Sequence, residues 1–511
     1  MLEVFSNILT PQNLFLILLG VAIGNLFGCI PGLNAPIAVA LALPFTFNME
    51  LLPSISLIMG LYMGCVSGGL VSAILLRIPG TAASVATTFD GYPMAQQGRG
   101  TEALSYGSFA SFFGGIFSSV ALLALAPVLA NIAIGFGPWE YFGTASLSLI
   151  LVCVLMTGKT LKGLIAVTLG LLLKTVGMSP VDGIAARFTF GIYSLENGFN
   201  LIVVIIGVFA FPAIISSIGN LKQIIKPVPI KKKLFYLPDR KPVMQNLRTM
   251  IQGSFLGTVI GILPGMGGGA ASLISYAQAK RTSRTPEKFG TGCAEGIFCC
   301  ESANNATTGG ALIPMLALGV PGDTVTAIIM GALTLQGISA GPLLSMNQPV
   351  IFKSIIFAVF VANIFMFLYQ IFTIKYMARI LDVPKYFLFP LITMFCVTGV
   401  ISLNNNLFDL VYLMFFILIG YILDKNKYPL SPFILAFVLG GIVEDNLRRS
   451  ISYYGTFGQC MQRLSIGTAF VYLGVGLLVF TALKSSRKIQ QILHLRKPKS
   501  KLPDSKSDNL Q

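Results

Sequence analysis

The stretch GVAIGNLFGCIPG at residues 20–32 recurs as GSFLGTVIGILPG at residues 253–265. Both copies carry glycine at every fourth position and end in Pro-Gly, at a constant offset of 233 residues. A second Pro-Gly pair follows each copy, at residues 79–80 and 321–322. The chain is therefore predicted to consist of two related halves. The matched positions are Gly20, Gly24, Gly28, Pro31 and Gly32 in the first copy, and Gly253, Gly257, Gly261, Pro264 and Gly265 in the second.

The composition is that of a membrane protein. Of the 511 residues 54% are hydrophobic and only 11% are charged, whereas soluble domains carry about 25% charged residues. Residues 201–218 and 466–483 contain no charged side chain, and 18 such residues are long enough for a membrane span. The N-terminus has no basic n-region and no small-residue cleavage site, so we expect no signal peptide. These features predict an all-α polytopic membrane protein.

The net charge of +16 is concentrated in two segments. Residues 222–248 and the tail after residue 483 together hold 16 of the 35 lysines and arginines. Basic clusters beside membrane spans mark cytoplasmic segments, so we do not expect a nucleic-acid partner. The predicted organisation is a first transmembrane repeat at 1–221, a basic cytoplasmic linker at 222–248, a second repeat at 249–484 and a basic cytoplasmic tail at 485–511.

Charge placement also predicts the orientation of the halves. Residues 249–279 lie between two basic segments and are interrupted at Pro264-Gly265, which predicts a re-entrant helical hairpin that enters and leaves on one side. The first copy has no Lys or Arg before residue 77, so its hairpin is predicted on the opposite side. Such repeats of inverted topology are typical of secondary transporters.

About 11 transmembrane crossings are predicted besides the two re-entrant hairpins. An exact inverted repeat needs equal numbers of crossings, but five are predicted in the first half and six in the second. The predicted crossings are residues 54–78, 105–135, 138–157, 160–177, 199–220, 295–320, 350–374, 384–402, 407–423, 430–446 and 466–484.

The four Pro-Gly breaks are predicted to build a binding site. Interrupted helices survive in a bilayer only where protein or an aqueous cavity satisfies their backbone. A helix that starts after each break would direct free N–H groups and its positive dipole end at a carboxylate. For the GxxxG glycines, close helix packing is the simpler interpretation. The predicted substrate-binding residues at the breaks are Gly32, Asn34, Gly80, Thr81, Gly265, Gly267 and Gly322.

Polar residues in apolar surroundings form a second set of candidates. Asn304 and Asn305, in EGIFCCESANNATTGG at 295–310, are predicted to bind substrate through their amides. Glu301 and Asp323 are candidates for the coupling ion, although a helix cap at the interface also fits the 295–310 cluster. Asp90 is a further substrate-binding candidate, and an ordinary Asp-Gly turn fits it equally well.

Several kinds of enzyme site are missing from the sequence. No Walker A, HExxH or Gly-x-Ser-x-Gly motif occurs, the single histidine is His494, and the eight cysteines have no paired ligand spacing. We therefore expect no enzymatic activity, no metal site and no cofactor. Residues 444–449, EDNLRR, are interpreted as a charge group that neutralises itself.

Five long strings resemble the large membrane subunit of the tripartite tricarboxylate transporters, the TctA family. The resemblance is collinear from about residue 10 to 480. Asn34 and the pair Cys299-Cys300 depart from the family pattern, which leaves the transported carboxylate open. The strings are IPGLNAPIAVALALPFTF (30–47), IPGTAASVATTFDGYPMAQQGRGTEAL (78–104), LPGMGGGAASLISYAQAKRTSRTPEKFGTG (263–292), EGIFCCESANNATTGGALIPMLALGVPGD (295–323) and VEDNLRRS (443–450).

The resemblance implies a secondary transporter, a symporter, of the bacterial inner membrane. It implies a small four-helix membrane subunit and a periplasmic solute-binding protein as partners, and a proton or sodium gradient in place of ATP. The implied substrates are tricarboxylates such as citrate, dicarboxylates and some aromatic carboxylates. A passive organic-anion channel is the alternative; a lipid-modifying enzyme and a purely structural partner of a permease fit less well. The family motifs fall on Pro31-Gly32, Pro79-Gly80, Asp90-Gly91, Pro264-Gly265, Glu301, Asn304-Asn305 and Pro321-Gly322-Asp323.

Overall fold

The computed structural model describes residues 2–156, 159–179, 186–218, 227–229, 235–380, 385–404 and 406–485. In these ranges the regular secondary structure is helical apart from one short antiparallel pair, β1 (Gly177–Met178) and β2 (Ala186–Arg187), in which Gly177 lies opposite Arg187. The all-α polytopic fold is thereby confirmed. Much of the predicted linker 222–248, and the predicted tail 485–511 beyond its first residue, lie outside the described residues.

The first half contains ten α-helices in its described part. Two single turns of π-helix, Ala95–Arg99 and Ile206–Ala210, join α5 to α6 and α9 to α10, and two 3₁₀ turns occur at Ala82–Ser84 and Tyr193–Leu195. The helices are α1 (Leu2–Ile8), α2 (Pro11–Cys29), α3 (Ala35–Phe47), α4 (Leu51–Leu76), α5 (Thr87–Met94), α6 (Gly100–Ala133), α7 (Pro138–Leu155), α8 (Thr160–Lys174), α9 (Leu201–Ile205) and α10 (Phe211–Ile218).

The described part of the second half, with the end of the linker, contains twelve α-helices and a 3₁₀ turn at Pro286–Lys288. The helices are α11 (Arg240–Gln245), α12 (Leu247–Ile262), α13 (Gly267–Thr282), α14 (Ala294–Leu318), α15 (Thr324–Leu335), α16 (Pro342–Asn347), α17 (Pro349–Ile380), α18 (Lys385–Asn404), α19 (Phe408–Lys425), α20 (Leu430–Tyr454), α21 (Phe457–Gln462) and α22 (Ile466–Ser485).

Each of the eleven predicted crossings corresponds to a helix or a helix pair of the structure. Within the described residues seven helical segments are long and apolar enough to cross a bilayer, and four shorter apolar helices accompany them. α2 is one of the seven, although the sequence predicted it as half of a hairpin. α14 is long enough but is not one of them, because its first half carries the polar cluster 295–310. The direction of each helix through the bilayer stays a prediction.

Two central helices, α4 and α14, organise the interior. Every residue from Pro53 to Leu76 and from Gly296 to Ala317 is buried. Outer helices such as α6 and α19 instead expose apolar side chains, for example Val128 and Met414, as lipid contact requires. α4 and α14 are equivalent elements, since each follows one copy of the glycine repeat and ends at its second Pro-Gly pair.

The repeated glycines pack α2 against α4 and α12 against α14. A Cβ atom at Gly24 would lie 2.4 Å from the carbonyl oxygen of Leu61, and one at Gly257 would lie 2.2 Å from that of Ala303. No side chain fits between backbones this close. The packing interpretation of the GxxxG glycines is therefore confirmed.

Each half also contributes a helix to the other half. α6 packs on α14, where a Cβ atom at Gly114 would lie 2.1 Å from the carbonyl oxygen of Ser302. α17 packs on α4, where Gln370 Nε2 donates to Ser67 Oγ at 2.9 Å. The two halves therefore form one interlocked body around α4 and α14.

Replacing Gly257 by alanine should destabilise the protein by about 1–3 kcal/mol, because the added methyl group meets backbone atoms that cannot move aside. Gly476 in α22 is the matched control, since a Cβ atom there meets nothing within 4 Å. Gly476→Ala should leave stability unchanged or raise it slightly through helix propensity. Thermal unfolding of both variants in detergent tests this, and equal midpoints would contradict the packing argument.

Candidate functional site

The four Pro-Gly breaks have matching backbone conformations in the two halves. Gly32 and Gly265, at the first break of each half, have φ of 98° and 83°, which only glycine adopts without strain. At the second break, α4 is followed by Arg77 and α14 by Gly319, with φ of 60° and 71°. Both residues lie two positions before the proline. The sequence repeat is thus also a repeat of local structure.

The breaks within each half contact one another. A Cβ atom at Gly80 would lie 2.1 Å from the Gly28 carbonyl oxygen, and one at Gly322 would lie 2.6 Å from that of Gly261. Gly28 and Gly261 are equivalent repeat positions, so the same contact occurs twice. In the second half Gly265 N–H also donates to the Gly322 carbonyl at 2.9 Å. Each half therefore brings its two interruptions to one point.

All four breaks meet at a central cavity of about 310 Å³. The residues that follow each break line it, together with parts of α4 and α14. Among the described lining residues none is Lys, Arg or His. The lining residues are Asn34, Ala35, Pro36, Tyr62, Val66, Thr81, Ala82, Ala83, Phe209, Gly265, Met266, Gly267, Gly268, Gly269, Asn304, Thr307, Asp323, Thr324, Val325 and Ser431.

Three helices begin at the wall of the central cavity. α3 is capped by Asn34, whose Oδ1 accepts from Ile37 N at 3.2 Å, and α15 is capped by Asp323, whose Oδ1 accepts from Thr326 N at 2.7 Å. α13 begins at Gly267 without a side-chain cap. Its first turn is Gly267-Gly268-Gly269, so the turn has no side chains of its own to cover its N–H groups. The positive ends of three helix dipoles therefore meet at this cavity.

Two buried polar atoms in the wall have no hydrogen-bond partner among the described residues: Thr81 Oγ1 and Asn304 Oδ1. Thr81 is 8% exposed and Asn304 is fully buried. Buried polar atoms are nearly always paired in native proteins, so unpaired ones need an explanation. Both belong to residues that line the cavity, where a bound molecule can supply the partner.

Asp323 is the acidic residue of the cavity wall. Its Oδ2 accepts from Tyr62 Oη at 2.8 Å, in addition to the capping bond from Thr326 to Oδ1. Thr326 Oγ1 also lies 2.8 Å from Oδ1, so Oδ2 is the oxygen that keeps a lone pair beyond these bonds and can still bind a cation.

Glu301 lies behind the cavity wall and is fully buried. Its Oε1 accepts from Thr87 Oγ1 at 2.5 Å and its Oε2 accepts from Ser111 Oγ at 3.1 Å. Two longer contacts to Oε2 come from the amides of Asn304 and Asn305, at 3.4 and 3.5 Å. Among the described residues Glu301 forms no ion pair.

Asp90 lies outside the cavity and holds a loop. Its Oδ1 accepts from the N–H groups of Gly290, Gly292 and Cys293, each at 2.9 Å, and its Oδ2 accepts from Tyr276 Oη at 2.9 Å. These bonds join α5 to the turn that precedes α14. The Asp90 carboxylate therefore has a structural role. Its bonds extend beyond the ordinary Asp-Gly turn that the sequence analysis gave as the alternative to substrate binding.

The predicted site residues differ in whether they line the cavity. Asn34, Thr81, Gly265, Gly267, Asn304 and Asp323 line the cavity; Gly32, Gly80 and Gly322 shape the breaks without lining it. Asn305 does not line it, and its Nδ2 donates back to the Glu301 carbonyl at 3.1 Å. The substrate-binding and ion-coupling roles themselves stay predictions.

Several lining residues were not found from the sequence. Tyr62 is the single hydroxyl-bearing ring in the apolar stretch ISLIMGLYMGCV at 55–66, and that isolation was an available signal. Phe209 and Ser431 reach the cavity from distant helices and carry no local motif.

Two other features lie away from the cavity. Glu444 pairs with Arg448 of the predicted charge group 444–449 at 3.0 Å, and it also pairs with Arg187 outside that group. An open groove of about 460 Å³ lies between α12 and α13. It is larger than the central cavity, but its wall includes the exposed side chain of Phe255 and none of the breaks. We therefore place the candidate site at the central cavity.

Comparison with known proteins agrees with the resemblance read from the sequence. The model of the tripartite tricarboxylate transporter TctA family matches residues 14–435. An Agrobacterium vitis protein, named an uncharacterized 52.8 kDa protein in the TAR-I ttuC' 3'region, is 34% identical over 483 residues, or 94% of this chain and 96% of the relative. A second protein of that organism, in the TAR-II ttuC' 3'region, is 36% identical over 195 residues, or 38% of this chain and 81% of the relative. No solved structure matches. The chain belongs to the tripartite tricarboxylate transporter TctA family.

Proposed function

We propose that this chain is the permease subunit of a binding-protein-dependent symporter that takes up tricarboxylates or related small carboxylates. The proposed partners are a periplasmic solute-binding protein and a small four-helix membrane subunit, in the bacterial inner membrane. One observation carries the proposal: the four breaks converge on one cavity in which three helices begin. Discontinuous helices with converging starts are the arrangement with which transporters hold anionic groups.

The chemistry of the cavity wall supports a carboxylate as the substrate. The uncapped first turn of α13 offers N–H groups, and Thr81 offers a hydroxyl whose oxygen has no partner among the described residues. The volume of about 310 Å³ corresponds to roughly ten water molecules, which leaves room for a small organic anion. Dipoles and neutral donors, without a lysine or arginine in the described wall, would hold it reversibly.

A co-transported cation offsets the charge of the substrate in this proposal. Moving one charge against 100 mV costs about 2.3 kcal/mol, so an anion entering a negative-inside cell needs compensation. Asp323 at the wall and Glu301 behind it are the carboxylates that a proton or sodium ion would neutralise. No ATP is consumed in the proposed cycle.

Replacing Asn304 by alanine should reduce citrate counterflow in proteoliposomes that contain all subunits by about tenfold or more, because the cavity wall loses the amide that can turn its NH₂ group to a carboxylate. Asn305→Ala is the matched control: it also removes a donor near Glu301, but Asn305 does not line the cavity. Its counterflow should stay close to wild type. Equal effects of the two variants would contradict the proposed site, and flux without partner subunits or an ion gradient would indicate the passive channel.

Replacing Thr81 by valine should separate binding from stability. The Thr81 hydroxyl oxygen has no partner among the described residues, so its removal should leave the thermal midpoint unchanged or raise it. Citrate affinity should fall by roughly tenfold, because a hydrogen bond to the carboxylate is lost, and Thr81→Ser should restore it.

The control for this substitution is Thr308→Val in α14. Thr308 is buried and donates within its own helix to the Asn305 carbonyl at 2.7 Å, and it does not line the cavity. This variant should lose some stability and keep its citrate affinity. Unchanged affinity in Thr81→Val would remove Thr81 from the site.

A further inference from the structure

Asn304 lines the central cavity and also contacts Glu301 behind the cavity wall. Its Nδ2 lies 3.4 Å from Glu301 Oε2 and 3.5 Å from the Val66 carbonyl oxygen. Asn304 lines the cavity, and its buried Oδ1 lies beside Gly268 of the cavity wall, where it has no hydrogen-bond partner among the described residues. The same amide therefore faces a buried carboxylate with one end and the candidate substrate site with the other.

We propose that Asn304 couples proton binding at Glu301 to anion binding in the cavity by turning its amide. This inference rests on the proposed function and specifies how the ion and the substrate act on each other. With Glu301 charged, the amide donates to Glu301 and presents its oxygen to the cavity. With Glu301 protonated, the amide oxygen accepts from the new carboxyl O–H, and the NH₂ group turns to the substrate.

The orientation of the amide in the structure follows from its neighbours. Glu301 Oε2 and the Val66 carbonyl are both acceptors, so the NH₂ end must point toward them. The oxygen is then left at the cavity wall, where it repels a carboxylate. The described conformation is thus the one that disfavours the anion, although three helix starts favour it.

Protonation of Glu301 reverses this preference. A protonated carboxyl group has one donor, and Asn304 Oδ1 is an acceptor that can take it. The long contact to Val66, at 3.5 Å, is the main bond lost on turning. The NH₂ group that then faces the cavity gives the substrate a donor at the position where it previously met an oxygen.

A proton suits this position better than a sodium ion. The two oxygens of Glu301 already accept from the hydroxyls of Thr87 and Ser111. A proton needs one free lone pair of the carboxylate, whereas a sodium ion would have to turn those hydroxyl hydrogens away to reach oxygen.

Of the other ionisable groups around Glu301, the adjacent Cys300 interacts with it electrostatically. Among the described residues its hydrogen bonds come only from Thr87, Ser111, Asn304 and Asn305. The titratable groups on the elements packed against α14, and on α14 itself, are Tyr62, Cys65, Asp90, Tyr92, Glu102, Tyr106, Arg248, Tyr276, Lys280, Arg281, Glu295, Cys299, Cys300 and the α15 cap Asp323.

The coupling is reciprocal by thermodynamic necessity. If the proton raises the affinity for the anion by some factor, the anion raises the affinity for the proton by the same factor. An anion delivered to the cavity would therefore draw a proton to Glu301, and the two would be carried together. This is the requirement for symport.

The test is citrate binding to the detergent-purified complete transporter, measured by isothermal titration between about pH 5.5 and 8. Wild-type affinity should rise as pH falls, by up to about tenfold per pH unit for one linked proton. Glu301→Gln keeps a neutral donor and acceptor at this position, so its affinity should equal the low-pH wild-type value throughout. Changes in the charge of citrate itself affect both proteins equally and cancel in the comparison.

A second variant covers the case in which Glu301→Gln fails to fold. Ser111→Ala removes one hydrogen bond that stabilises the charged carboxylate, so the midpoint of the pH profile should move to higher pH. Infrared difference spectra on citrate addition should show a protonated carboxylic acid in the wild type that is missing in Glu301→Gln.

Three outcomes would overturn the coupling. These are a pH profile of Glu301→Gln parallel to the wild type, an unshifted midpoint in Ser111→Ala, and a wild-type affinity that depends on sodium at constant pH but not on protons. If the wild type binds neither citrate, succinate nor benzoate at any pH, the proposed function fails and the coupling fails with it. The two failures are distinguishable, because only the second lacks wild-type binding.

Discussion

The hydrogen-bonding needs of the backbone in a bilayer constrain the rest of this structure. Hydrocarbon offers no partner to a free N–H or C=O group, so a helix can be interrupted only inside protein or at an aqueous cavity. This chain interrupts four helical stretches at Pro-Gly pairs, and all four interruptions meet at one central cavity. The wall there consists of helix starts and the residues that cap them. Convergence of the breaks is therefore both a structural necessity and the origin of the candidate site.

The repeated glycines make this convergence possible. With no Cβ atom at Gly80 or Gly322, the second break of each half can lie against the carbonyl of Gly28 or Gly261, and these two glycines in turn lie against the backbone of α4 or α14. The glycines at every fourth position also allow α2 to pack on α4, and α12 on α14, along their length. The glycines therefore determine both the close packing of the helices and the geometry of the site. A side chain at these positions would separate the helices and also move the breaks apart.

The sequence predicted the features that have a local signal. Hydropathy located the helices, and the repeat located the breaks, because proline and glycine mark an interruption wherever the chain later lies. Asn34 and Asp323 were predicted as site residues because they follow the breaks, and in the structure both cap the next helix. The role of α2 was less clear, because its 19 residues are long enough to cross a bilayer while it also forms the first arm of a predicted hairpin.

The direction in which each polar side chain points could not be predicted from the sequence. Asn304 and Asn305 are neighbours in one helix, so their side chains point about 100° apart, and only Asn304 lines the cavity. Asp90 was equally polar and equally buried, yet its carboxylate holds the turn at 290–293. Tyr62, Phe209 and Ser431 reach the cavity through contacts between distant segments, which no local pattern encodes.

The described cavity wall contains helix starts and no lysine or arginine side chain, and this affects the transport cycle. A helix start carries an effective charge of about +0.5, whereas a lysine or arginine would place a full charge in the empty site. A full buried charge would need a counter-ion whenever the substrate has left. The cavity wall instead carries one carboxylate, Asp323, with Glu301 behind it, and no cation among the described lining residues. The carboxylates of the site favour a positive ion and its helix starts favour an anion, so the ion and the substrate stabilise each other's binding. The electrostatics of the breaks alone thus favour joint binding of an anion and a cation over binding of the anion alone.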